Sequence, residues 1–94
     1  MSEGKKFDGD KARFDLIPLL ALEGAAKVMG FGAQKYGAWN WLAVENAEAR
    51  YTAALLRHLA LHQAGEMIDQ ESGFKHIDHI LCNALFLAAL NKDK

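Results

Sequence analysis

Two short stretches hold most of the residues that could do chemistry. His58 and His62 are four positions apart and share a face if they lie on a helix. If that helix persists through Gly65, the same stripe continues to Glu66 and Asp69. Downstream, His76, His79 and Asn83 are spaced by three and four, again one helical face. Folding the two segments back on each other sets Asn83 opposite His58, His79 opposite His62, and His76 opposite Glu66. Polar groups inside a helical interface are costly unless paired or ligated. Imidazoles and carboxylates together can hold a metal. They can equally satisfy one another by hydrogen bonds and fix the hairpin, and spacing alone leaves both readings open. Glu66-x-x-Asp69 puts two carboxylates one turn apart, a spacing that suits a hard cation such as Mg²⁺, with Glu71 and Asp78 close enough to join. The plainer alternative is a solvated acidic turn in which Asp69 or Ser72 caps the next helix. A zinc-protease motif is excluded, because Leu59, Ala60 and Leu61 stand between the first two histidines.

A second cluster comprises Lys35, Tyr36, Asn40 and Trp41. A lysine can hold a phosphate, an indole can stack on a base, and an asparagine can read a base edge. By residue type alone, tryptophans that anchor a loop on the core are the commoner case. Arg57 is a further phosphate candidate. The basic run Lys5, Lys6, Lys11 and Arg13 is either a solvated tail or a clamp over bound phosphate.

These residues need elements to position them. Residues 1–14 read as an irregular arm. A first helix is expected after Asp15, with Pro18 in its first turn and Gly30 and Gly32 as its stop. Residues 30–45, rich in glycine and aromatics, read as an ordered functional or interface loop. A second helix is expected from Asn46 or Ala47 to about Gly65, and a third from Gly73–Phe74 to about Leu90. The short acidic connection between them makes an antiparallel hairpin over 46–91. No stretch alternates as a strand does. The expectation is one all-α domain over 1–94, a small bundle built on that hairpin.

Composition narrows the partners. The formal net charge of −1 gives no basic face for a nucleic acid duplex. The strongest apolar run, near Ile80–Leu90, is too short to span a bilayer. The single Cys82 excludes an internal disulfide and fits a reducing, cytoplasmic setting. A chain of 94 residues builds only a small core, so a homo-oligomer is expected.

Taken in order, the motifs are more specific than any one of them. Lys11 to Pro18 is followed by Lys35-Tyr36-Gly37, Asn40-Trp41 and Arg57-His58, then Gly65-Glu66-x-x-Asp69-x-Glu71-Ser72-Gly73, His76-x-x-His79 and Asn83. This series, over roughly residues 5–90, resembles the N-terminal domain of phage dATP/dGTP diphosphohydrolases, which are similar to MazG-like all-α nucleotide pyrophosphohydrolases. The resemblance implies an oligomeric helical bundle that hydrolyses a purine dNTP to dNMP and pyrophosphate with Mg²⁺ or Mn²⁺, in the bacterial host cytoplasm. It assigns metal binding to Glu66 and Asp69 assisted by His62 or His79, and activation of water to Glu66 or Glu71. Substrate contacts then fall to Lys11, Lys35, Tyr36, Asn40, Trp41, Arg57 and His58. One departure stands out. The MazG-like pattern pairs Glu-x-x-Glu with Glu-x-x-Asp, whereas here Glu66-x-x-Asp69 stands alone and histidines occupy the other place. The alternative is a non-catalytic helical oligomer that binds a nucleotide or a protein, with structural histidines.

Overall fold

The computed structural model describes residues 4–92. The first three residues of the arm and the last two of the chain lie outside them. Three α-helices form the body: α1 (Glu23–Tyr36), α2 (Ala47–Gln63) and α3 (His76–Leu90). No strand is present among the described residues, so the fold is all-α, built on the antiparallel α2–α3 hairpin with α1 laid against α3.

The first helix differs from the sequence expectation at both ends. Residues 14–22 form two 3₁₀ turns, Phe14–Leu16 and Leu19–Leu22, rather than a continuous helix. Pro18 is the cause. The residue before a proline is driven to extended backbone, and Ile17 has ψ 125°. At the other end α1 runs straight through Gly30 and Gly32. A glycine inside a helix costs about 1 kcal/mol but does not forbid it. The helix stops at Gly37, whose φ of +100° an L side chain rarely adopts.

Helix α2 begins as expected at Ala47 but does not carry on past Gly65. Gly65 has φ +99°, its N–H bonds to the His62 carbonyl, and the Glu66 N–H bonds back to the Leu61 carbonyl. These two bonds close a Schellman cap. The connection then makes its own small hairpin. Ile68 and Lys75 form an isolated antiparallel bridge, flanked by Asp69 N–H to Phe74 O and His76 N–H to Met67 O. Helix α3 therefore starts at His76, later than Gly73.

The core is small. Ala25, Val28 and Cys82 are buried, with Met29, Phe74, Leu81 and Phe86 packed against them. Gly24 brings α1 onto α3, since a Cβ there would collide with the Asp78 carboxyl group. Much apolar surface is left outside. Phe7 is 89% exposed and Leu20 86%, and Phe14, Leu16 and Leu19 are also open. The radius of gyration is 17.0 Å, against about 12 Å for a compact chain of this length. No helix among the described residues is long and apolar enough to cross a membrane.

Candidate active site

The start of α3, the middle of α2 and the connecting hairpin meet in a histidine–carboxylate cluster. His76 is fully buried at the first position of α3. Its Nε2 lies 2.6 Å from Glu66 Oε2 and its Nδ1 lies 2.8 Å from Nδ1 of His58. A carboxylate only accepts, so His76 donates its Nε2–H to Glu66. With its proton on Nε2, the ring offers the Nδ1 lone pair, and His58 donates to it. Beside this pair, the Ser72 hydroxyl donates to Asp69 Oδ2 at 2.6 Å. It must then accept from His79 Nε2–H at 2.7 Å. His79 also stacks flat on His58, with ring centroids 4.2 Å apart.

The electrostatics favour neutral imidazoles beside a charged carboxylate. Burial lowers the pKa of His58, helped by neighbouring His79, and burial likewise lowers that of His79 against the pull of Asp69. Burial alone would raise Asp69. Its two bonds from Ser72, together with nearby His79 and the Glu71 backbone, outweigh that and hold the carboxylate below its usual range. Donor atoms of His58, Asp69 and His76 all lie within 4.8 Å of one another, a set that can hold a divalent cation.

The observed register differs from the one read by spacing. His58 faces His79 and His76, not Asn83, and His79 faces His58, not His62. The connecting hairpin replaces the extra helical turn that the stripe assumed, so α3 slides about one turn along α2. Glu66 does meet His76. His62 stands apart from the converging donors, its Nδ1 buried without a partner. Glu71 is exposed, near enough to raise His79 electrostatically.

The cluster opens into a groove of about 1010 Å³. Lys35, Tyr36, Asn40, Trp41, Arg57 and His58 all line it, so six of the expected substrate residues share one cavity. Lys11 does not. It lines a separate concavity on the arm with Lys6 and Arg13. Trp41 stacks on Phe86 at 4.5 Å, and its carbonyl accepts from the Tyr51 hydroxyl, so it anchors the loop to the body. Trp39, 70% exposed on the groove, is the freer indole. Arg50 also lines the groove and escaped the sequence reading. Its spacing of seven from Arg57, two helical turns, was the available signal.

The family model for the N-terminal region of dATP/dGTP diphosphohydrolases matches residues 1–94. The chain belongs to this family. A protein of Salmonella phage PMBT28 named dATP/dGTP diphosphohydrolase is 33% identical over 84 residues. That alignment covers 89% of this chain and 28% of the phage protein. The chain therefore spans little more than a quarter of the relative it matches. No solved structure matches it. As a member of the diphosphohydrolase N-terminal family the chain sits in an enzyme family.

Proposed function

We propose that the chain takes part in metal-dependent hydrolysis of a purine dNTP, dATP or dGTP, to dNMP and pyrophosphate. One observation carries the reading. Among the described residues, the groove is lined by Lys35, Arg50, Arg57, His58 and His79, by exposed and stacked aromatics, and by no carboxylate. That lining suits a ligand both anionic and aromatic. The carboxylates gather at one end, where His58, Asp69 and His76 offer donors for a cation.

Each residue then has a task. Glu66 orients His76 through its Nε2–H and keeps Nδ1 free for ligation, as carboxylates behind metal-bound histidines do. Ser72 performs the same office for Asp69 and His79. Both Nδ1 lone pairs become available once the His58 proton moves to Nε2, with no change of charge. Two imidazoles beside one carboxylate favour Mn²⁺ over Mg²⁺. The chemistry such an ion supplies when bound is charge neutralisation on the phosphates and a lowered pKa for a ligated water. Arg57 and Lys35 neutralise the triphosphate, and Trp39 or Tyr36 stacks on the purine, with Asn40 at its edge. Glu71 takes the proton from the attacking water. The water oxygen bonds to phosphorus as the bond to the bridging oxygen breaks, releasing pyrophosphate.

The closed hydrogen-bond chain from His58 through His76 to Glu66 favours one other reading, a non-catalytic module with structural histidines. Incubation with each of the eight common dNTPs and NTPs, with Mn²⁺, Mg²⁺ or chelator, separates the two. Deoxypurine monophosphate plus pyrophosphate, lost with chelator, supports the enzyme. Absence of turnover in folded protein supports the module.

A further inference from the structure

We infer that Asn83 and Ala54 seat the sugar of the bound nucleotide, with the side-chain oxygen of Asn83 accepting a hydrogen bond from the 3′-hydroxyl. This rests on the nucleotide reading of the groove. Two ring pairs fix how α2 and α3 face each other: His58 on His79 at one end, Tyr51 against Phe86 at the other. The pairs are seven residues apart on both helices, about 10 Å of helix. The first pair belongs to the cluster that would meet the phosphates. The second belongs to the aromatic end, where Phe86 also stacks on Trp41. Midway between them, Ala54 on α2 and Asn83 on α3 both line the groove. A nucleotide laid along it, phosphates at the histidines and base at the tryptophans, puts its sugar there.

Asn83 is a polar residue only 8% exposed, and so is held rather than mobile. Its Nδ2 donates to the His79 carbonyl at 2.8 Å. A carbonyl cannot donate, so this bond fixes which way the amide points. One of the amide's two N–H donors is committed within α3, and the oxygen so oriented is the acceptor that Asn83 offers to the groove. Across from it, Ala54 has the smallest side chain that still lets α2 stay a good helix, and leaves room for a furanose. An acceptor that opens onto the groove beside a sugar pairs with a hydroxyl donor, and a 2′-deoxynucleoside triphosphate carries one, at C3′.

Calorimetry in EDTA compares dATP and dGTP with their 2′,3′-dideoxy counterparts, free of turnover. Wild type is expected to prefer the deoxynucleotide about tenfold, and Asn83→Ala to bind both forms equally. Equal binding of the pair by wild type overturns the inference, as does a preference that survives in Asn83→Ala. The wild-type comparison needs no variant, so it decides even if Asn83→Ala does not fold. Binding of neither form also overturns it. A parallel turnover assay with Mn²⁺ then tells whether the nucleotide reading has failed as well, or the sugar seat alone.

Discussion

His76 has no solvent exposure and both ring nitrogens engaged, so the cluster depends on it more than on any other side chain. Glu66 acts through it. Glu66→Gln keeps an oxygen that can accept the His76 Nε2–H but removes the charge behind the ring. Helical content should stay unchanged while Mn²⁺ affinity, read by calorimetry, falls about 10- to 100-fold. Unaltered affinity would return Glu66 to a purely structural role. The histidines also set a pH dependence. His58 and His79 have folded pKa values below the usual value of about 6.5. The unfolded chain therefore binds protons first as pH falls, and stability drops below about pH 6.5. In chelator, the melting temperature should decline from there, ahead of the carboxylate range, and His58→Gln should flatten the decline. A wild-type curve level down to pH 5 would contradict the burial argument. At this scale the sequence was informative about residue types: Glu66 with His76 follows from spacing, and Lys35, Tyr36 and Arg57 as substrate candidates follow from residue type and the family resemblance. It was silent on Ser72 as the link between Asp69 and His79, because that link depends on a turn rather than on periodicity.

At the scale of elements, the α2–α3 hairpin was legible and its register was not. Helical period identifies both helices. The register is set by backbone bonds in the connection, above all the Gly65 cap and the Ile68–Lys75 bridge, and no apolar pattern records them. The same applies to α1, where Gly30 and Gly32 read as stops yet lie within the helix. These glycines make a matched test of packing. A Cβ at Gly30 meets nothing, so Gly30→Ala should stabilise by about 1 kcal/mol through helix propensity. A Cβ at Gly24 meets the Asp78 carboxylate, so Gly24→Ala should destabilise by about 1–2 kcal/mol, and adding Asp78→Ala should recover much of the loss. Urea unfolding of the variants reads all of these changes. Equal stability of the two single variants would mean that α1 does not approach α3 as closely as described.

For the whole molecule, the notable quantity is the apolar surface left open. Phe7 on the arm, Phe14, Leu16, Leu19 and Leu20 in the 3₁₀ turns, and Leu56, Leu61 and Ile77 on the helices, are all exposed. The homo-oligomer expected from the sequence would cover such residues. Sedimentation velocity should find an assembly of more than one copy, and Leu20→Asp with Phe14→Asp should shift it toward monomer. A stable monomer at all concentrations would assign that surface to another partner. If the groove and the cluster act as one site, the rate of pyrophosphate release from dATP and dGTP in Mn²⁺ depends on both. Wild type should be compared with His58→Ala and Asp69→Asn at matched helical content. Wild type should give monophosphate and pyrophosphate in equal amounts, and each variant should lose about 100-fold or more of the rate. Variants that keep the wild-type rate, or a wild type that releases inorganic phosphate instead, would contradict this reading.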